Sequence, residues 1–311
     1  MPHSYLFGHL VAVGKSMMRY PDGLNGQCMA RVLVEDYPEL EQVGAIYLDM
    51  WPIINPMIYV FHPLLMSEYT SITPSIPKAN LMKHEFYPVT RNLDIVTSDG
   101  PLWKAWRSRL NPGFSAINIM TMVPEMLEEI QIFVEKLKSA ATTDNIIKLE
   151  DLTLPLTVDV VSRAAIGTRL HCQTAKHPVH QALDGQTSRL ITSWAPHELP
   201  NILNPLRPLY TWLNNRVFRN HFEPLIRQIA SDQLAGTVSS RTKTIISLAV
   251  QDYLANSTDG SKTELDQSFI NILMQQLFIF LFAGHDTTAV TLCFAYHLLH
   301  TVRLPPYLSL P

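Results

Sequence analysis

The feature that most restricts the fold is a long apolar segment near the end of the chain. The spacing of its residues predicts one helix from about Glu264 to His300, far longer than an ordinary globular helix. The run 278–282, Phe-Ile-Phe-Leu-Phe, is apolar on every side, and such a helix lies in the middle of a protein or in a membrane. Because Gln275 and Gln276 precede this run and polar residues follow it, we favour a central buried helix over a membrane span.

Four polar residues, His285-Asp286-Thr287-Thr288, conflict with the apolar surroundings expected for the middle of this helix. Such conflicts concentrate at functional sites. The small residues Ala283 and Gly284 would let a flat ligand approach the backbone. We expect the Thr287 hydroxyl to donate to the Ala283 carbonyl four residues earlier, with Asp286 as a carboxylate in apolar surroundings. This bond tends to bend or open a helix, and an acid beside an alcohol on a locally opened helix suits proton delivery. The alternative is a helix with a packing glycine and a few satisfied polar side chains.

The rest of the chain predicts a mainly α protein with a small β-hairpin near its N-terminus. Residues 45–51 and 57–61 are apolar runs separated by prolines and predict the two strands. Helical spacing then predicts helices over 123–141, 154–166, 180–193, 213–234 and 243–254. Gly167 is a plausible stop for the second of these helices.

Composition excludes several functions. A formal net charge of −3 and the lack of a basic run argue against a nucleic-acid partner. The cysteines, Cys28, Cys172 and Cys293, are far apart in sequence and indicate free thiols in a reducing compartment. Two histidine pairs with helical spacing, 177/180 and 297/300, favour ordinary side chains over a metal site, since no third ligand is nearby.

Two motifs resemble those of the cytochrome P450 family. Ala283-Gly284-x-Asp286-Thr287-Thr288 is similar to that family's oxygen-binding helix. Gly100-x-x-Trp103-x-x-x-Arg107-x-x-x-x-Pro112-x-Phe114-Ser115 is similar to its helix with the haem-propionate contacts. Trp103 and Arg107 are four residues apart and share a helix face; arginine can grip a carboxylate with two hydrogen bonds and indole can donate one. The hairpin also resembles the family's first sheet.

The resemblance implies a fold and a set of roles. The fold would be the cytochrome P450 fold, mainly α, ending after the long central oxygen-binding helix, with residues 1–300 as part of one domain. Trp103 and Arg107 would hold the propionates of a haem, and Ala283, Gly284 and Thr288 would line its oxygen side. Asp286 and Thr287 would deliver protons while one atom of O₂ enters an apolar small-molecule substrate.

The resemblance also implies a partner and a location. An NADPH-dependent reductase would supply electrons, and family members typically reside at the endoplasmic reticulum membrane. The first residues show no signal peptide or membrane anchor, so we expect this chain at the cytoplasmic face or in the cytoplasm.

The chain departs from the family pattern in its last part. No glutamate is followed by arginine three residues on, and no Phe-x-x-Gly-x-Arg-x-Cys-x-Gly loop is present, so no cysteine here has the context of the axial iron ligand. We expect residues 301–311 to be an aberrant tail and the long helix to expose apolar surface. Two functions stay open: a haem-dependent monooxygenase whose chain is incomplete and inactive as given, or a non-catalytic remnant that binds an apolar ligand or a partner protein.

Overall fold

The computed structural model describes residues 1–20, 28–51, 55–71, 77–143, 146–190, 203–236, 243–256 and 265–301. Two compact units are present, one formed by residues 1–77 and 191–202, the other by residues 78–190 and 203–311. Apart from Thr301, the tail predicted to be aberrant lies outside the described residues, as does the predicted helix start at Glu264.

The first unit contains the predicted hairpin. Its two strands pair antiparallel, with Ala45 opposite Val60 and Leu48 opposite Met57. The hairpin is confirmed, with strands shorter than predicted. The elements of the first unit are, in chain order, α1 (Leu10–Met17), α2 (Met29–Asp36), α3 (Glu39–Val43), β1 (Ala45–Leu48), β2 (Met57–Val60) and α4 (Pro63–Ser71). Gly44 ends α3 in the left-handed conformation, with a φ of 72°, and leads directly into β1.

The described residues of the second unit form helices and the connections between them. The predicted helices are confirmed in position, and most of them begin a few residues earlier than predicted. The helix predicted over 180–193 ends at Thr187, and residues 191–193 lie outside the described part of the chain. The elements are α5 (Asn80–Thr90), α6 (Gly100–Leu110), a 3₁₀ helix (Asn111–Phe114), α7 (Ala116–Ala141), α8 (Glu150–Ile166), α9 (Pro178–Thr187), α10 (Arg207–Leu234), α11 (Ile245–Ala255) and α12 (Gln267–Thr301). Gly167 ends α8 with a φ of 76°, which confirms the predicted helix stop.

The core of the second unit forms around α8 and α12, which pack against each other along much of their length. α7 covers another side of α8, and α9 packs on α10. The fully buried Glu129 of α7 accepts a hydrogen bond from the Arg163 guanidinium of α8 at 2.9 Å, which ties these two helices together. Leu273, Leu277 and Leu281 of α12 are fully buried, in accord with the apolar pattern that predicted this helix.

The two halves of α12 differ in burial. Buried residues continue only as far as Ala289. Beyond it the apolar side chains are largely exposed, with Phe294 64% and Leu299 61% accessible, which confirms the expected apolar surface. α12 is also long and apolar enough to cross a membrane, judged by length and composition alone.

Candidate functional site

The motif at 283–288 lies in an unbroken stretch of α12, so the expected local opening of the helix is absent. The residues of the motif divide between two faces. His285 is 2% accessible, whereas Ala283, Asp286, Thr287 and Thr288 are exposed. The expectation that Asp286 is a carboxylate in apolar surroundings is therefore wrong. Successive helical residues point about 100° apart, and only the side of α12 that carries His285 is covered by α8 at this level.

The threonine contact predicted from the spacing is present. The Thr287 hydroxyl donates to the Ala283 carbonyl at 2.6 Å, and Thr291 repeats the bond one turn later by donating to the Thr287 carbonyl at 2.7 Å. Both hydroxyl protons are thus directed along the helix. The oxygen lone pairs of Thr287 remain on the exposed face, where they can accept a further hydrogen bond.

Gly284 is explained by packing. A Cβ on this residue would lie 2.7 Å from Cγ2 of Val161 in α8, so only glycine fits without displacing that side chain. One residue later, the His285 carbonyl accepts a hydrogen bond from the buried Thr157 hydroxyl of α8 at 2.9 Å. Sequence reasoning missed both α8 residues, because nothing local to 157–161 indicates which helix will cover them.

The buried histidine is held by its own helix. Its Nδ1 donates to the carbonyls of Leu281 at 2.8 Å and Phe282 at 2.9 Å. His285 is therefore satisfied within the core and turned away from Asp286 and Thr287.

The second motif lies on α6 and the 3₁₀ helix that follows it. Trp103 is 37% accessible and Arg107 is exposed on the same side of α6. Within the described residues, neither the indole N–H nor the Arg107 guanidinium has a hydrogen-bond or ion-pair partner. The neighbouring Trp106 and Arg109 make contacts within the protein instead. Trp106 stacks on Phe269, and Arg109 forms an ion pair with Asp252 of α11 at 2.7 Å.

A lysine that sequence reasoning missed lies beside Trp103. The Lys78 ammonium is 5.6 Å from the Trp103 ring centroid and donates to the carbonyls of Ile95 and Ser98, each at 2.7 Å. Burial lowers the pKa of Lys78 despite two nearby aspartates. This lysine follows a proline in a stretch without periodicity, so no signal in the sequence pointed to it.

One contact brings the end of the second motif onto α12. The ring of Phe114 lies edge-on to that of Phe280, with the centroids 5.4 Å apart. Phe280 precedes Ala283 by three residues, about one turn. In the described part of the chain, no hydrogen bond or ion pair joins Trp103 or Arg107 to residues 283–288.

The three thiols differ in surroundings. Cys172 is buried, and this burial, with the Asp159 carboxylate nearby, raises the pKa of its thiol far above the usual range. The Cys293 sulfur lies 3.5 Å from the Thr153 hydroxyl of α8, and Cys28 precedes α2. Among the described residues, no three histidine, cysteine or acidic side chains cluster as a metal site would require.

Comparison with known proteins decides the family. The sequence profile described as cytochrome P450 matches residues 37–303. This chain belongs to the cytochrome P450 family. Two curated fungal relatives are the cytochrome P450 monooxygenase polC of Polytolypa hystricis, 31% identical over 96% of the chain, and the cytochrome P450 monooxygenase acrF of Aspergillus aculeatus, 27% identical over 90%. The chain spans about half the length of these relatives, 52% and 53% respectively.

Solved cytochrome P450 structures share the fold. The crystal structure of the cytochrome P450DA heme domain is similar with a TM-score of 0.66 and 23% identity, over 96% of this chain and 59% of that one. A mutant of the same domain gives the same TM-score at 22% identity. The mainly α architecture with its small two-stranded sheet is thus that of a cytochrome P450.

The free donors of this cytochrome P450 chain fit the acidic edge of a haem. Trp103 and Arg107 offer an indole N–H and a guanidinium that no described protein group accepts, and Lys78 adds a cation close by. Carboxylates such as haem propionates are the groups that this donor set binds. The exposed face of Ala283 and Thr287 has no described side chain over it, so a flat group can approach α12 there.

Proposed function

We propose that this chain forms the oxygen side and the propionate contacts of the haem pocket in a cytochrome P450 monooxygenase. The observation that carries the proposal is the pair of free donors, Trp103 and Arg107, one turn apart on the exposed side of α6. Because both donors are exposed and make no bond within the described chain, a carboxylate can bind them without breaking an internal hydrogen bond. In a member of this family the acceptor would be the haem carboxylates.

The chain's own residues would bind the cofactor and deliver protons. Bound haem supplies the activation of O₂, of which one atom enters an organic substrate and the other leaves as water. Arg107 and Trp103 would donate to the propionates and fix the orientation of the ring. The Thr287 hydroxyl donates its proton to the Ala283 carbonyl, and its oxygen lone pairs can accept a hydrogen bond on the exposed face. Asp286, which is exposed to solvent, would take up protons beside it, with Thr288 and Gly284 flanking the same turn.

A substrate and an electron donor would bind this chain. The substrate would be an apolar organic molecule, and an NADPH-dependent reductase would supply the electrons, at the cytoplasmic face of the endoplasmic reticulum membrane or in the cytoplasm. We further propose that none of the three cysteines is the axial ligand. Cys172 is buried in the hydrophobic core of the second unit, and Cys293 lies on α12 against Thr153.

Haemin titration of the purified chain tests the propionate contacts. Arg107→Gln should weaken haemin binding by roughly tenfold, the lower range for a hydrogen bond to a charged group. Lys104→Gln is the matched control, because it removes a positive charge from the same exposed helix one turn away and should leave the affinity unchanged. The dimethyl ester of haemin should bind wild type and Arg107→Gln equally. Equal weakening of haemin binding by both variants would contradict a specific propionate contact.

A carbon monoxide difference spectrum of the reduced, haem-loaded chain tests the cysteine proposal. We expect no thiolate-type spectrum. If one appears and is lost when any one of the three cysteines is replaced by serine, the chain carries its own ligand and the proposal is wrong.

The second candidate is a non-catalytic protein that binds an apolar ligand or a partner protein, and a cavity in the second unit whose buried floor includes Val89, Phe218 and Phe278 favours it. A chain that fails to bind haemin yet retains cooperative folding would shift the assignment to that candidate.

A further inference from the structure

A histidine caps the start of helix α9. The N-cap residue is His177, whose Nδ1 accepts a hydrogen bond from the Val179 N–H at 3.2 Å. Serine, threonine, aspartate and asparagine are the preferred caps, and each offers a side-chain oxygen as acceptor. A histidine nitrogen can accept only while the ring is neutral, because both nitrogens of an imidazolium are donors. The start of α9 is therefore held by a hydrogen bond that proton uptake removes.

The capping imidazole lies against a second one. The rings of His177 and of His221 in α10 are edge to face, with their centroids 5.0 Å apart. The Nε2 atom of His221 is buried and has no hydrogen-bond partner in the described part of the chain. Burial lowers the pKa of both histidines, and the neighbouring His177 lowers that of His221 further. Protonation of both rings would bring two positive charges together in a partly buried contact.

The groups around His177 act on its charge in opposite directions. Burial opposes the charged form most strongly; the Asp159 carboxylate of α8 favours it, and His180 and His171 oppose it. Asp159 already accepts two backbone N–H groups of the connection at 172–173. The first turn of α9 contains no acidic residue, and the positive end of the helix dipole repels an imidazolium. Together these effects keep the ring neutral in the folded protein.

The other end of α9 is attached to α10 by groups that do not titrate. The Gln186 amide accepts from Asn214 at 3.2 Å and donates to Asn215 at 3.3 Å, and Leu183 is fully buried. Among unperturbed side chains, only histidine changes charge between about pH 5 and 8. The helix thus has a pH-sensitive attachment at its start and a pH-independent attachment near its end.

We propose that His177 and His221 form a pH-sensitive switch, in which proton uptake removes the cap and separates the first turn of α9 from α10 while Gln186 holds the end of the helix. A hollow of about 310 Å³ beside the two rings opens to the surface, so water can enter and solvate the imidazolium groups. Because both pKa values are lowered from 6.5, the contact is fully stabilising above that pH and is lost as the pH falls below it. The switch uses neither the donors of α6 nor the motif of α12, so it goes beyond the proposed function and stands without it.

Amide hydrogen exchange of the full chain, followed by NMR over a pH series and corrected for the intrinsic exchange rate, tests the switch. The Gln181 N–H donates to the His177 carbonyl at 3.2 Å and reports the first turn of α9. Its protection should fall by roughly fivefold between about pH 7.5 and 5.5, the loss expected when a helix cap is removed. Protection of Ala249, which is fully buried in α11, should change much less. A parallel fall at both amides would refute a local switch.

Three variants separate the cap from a general effect of charge. His177→Asn supplies a capping side chain that does not titrate in this range, so it should keep the protection of Gln181 and lose its pH dependence. His177→Ala should give low protection at both pH values. His171→Asn is the matched control: it replaces an exposed histidine of the preceding connection, at a φ of 59° that asparagine tolerates, and the pH dependence should persist.

The wild-type chain alone keeps the proposal testable if a variant does not fold. The imidazole signals of His177 and His221 should titrate below pH 6.5, over the same range in which the protection of Gln181 is lost. Titration of these rings without any loss of protection at Gln181 would overturn the proposal, as would an unchanged pH dependence in His177→Asn.

Discussion

Replacing Gly284 by alanine measures how closely α8 covers α12 at the oxygen-side motif. The new Cβ would lie 2.7 Å from Cγ2 and 3.2 Å from Cγ1 of Val161, whereas carbon atoms pack best at about 3.5–4.0 Å. Alanine gains about 1 kcal/mol of helix propensity over glycine, and overpacking costs about 1–3 kcal/mol. Valine has few alternative rotamers in a helix, so we expect the steric cost to prevail and the free energy of unfolding to fall by about 1 kcal/mol.

Urea denaturation followed by circular dichroism gives this free energy, and a double-mutant cycle identifies its cause. Val161→Ala removes both γ carbons, so Gly284→Ala should be neutral or stabilising in that background, with a coupling energy of about 1–2 kcal/mol. Gly14→Ala in α1 is the control for propensity, because a Cβ there meets nothing within 4 Å. If Gly284→Ala alone is as stable as wild type, or if the coupling is absent, the close approach of Val161 is refuted.

Two further predictions concern buried polar groups. Gln276→Leu leaves the backbone groups of the 93–95 segment without partners and should lower the free energy of unfolding by about 2–4 kcal/mol in the same urea assay. The control is Gln275→Leu, whose amide makes no hydrogen bond to the described residues and which should change stability by less than about 0.5 kcal/mol. Equal losses in the two variants would contradict the role of Gln276 in holding that segment. Burial lowers the pKa of three histidines at the contact of α9 with α10, namely His177, His180 and His221. The pKa of a histidine in the unfolded chain is about 6.5. The stability that these neutral histidines contribute is therefore complete above that pH, and it is lost as the pH falls below it towards their lowered pKa in the folded state. The melting temperature should therefore drop between about pH 7 and 5, less steeply for His221→Phe; an equal slope in that variant would contradict the prediction.

The sequence was sufficient for the helices with long, regular apolar faces. α7, α8, α10, α11 and α12 all lie where the spacing predicts them, because apolar residues recur at helical spacing over several turns of each. It was insufficient for the five helices before residue 91, which have between 5 and 11 residues. Helices this short depend on tertiary packing more than on their own propensity, so their pattern was indistinguishable from loops.

The local part of the site was predictable and the long-range part was not. The hydrogen bond from Thr287 to Ala283 follows from helical geometry alone, and it is present. The exposure of Asp286 and the contact of Gly284 with Val161 depend on which side of α12 is covered by α8, a helix far away in sequence. Lys78 beside Trp103 likewise takes its position from a connection that carries no periodic signal.

Because α12 has one face covered by α8 and one exposed face, a packing role and a chemical role can be distinguished among the residues of its motif. Gly284 faces α8, where the contact with Val161 requires a glycine, and the backbone carbonyl of His285 accepts the bond from Thr157 on the same side. Ala283 and Thr287 face away, where no described packing requires a small residue or a hydroxyl. A chemical role is therefore argued most directly from Ala283 and Thr287, while the glycine between them would be needed even in a chain that binds no cofactor.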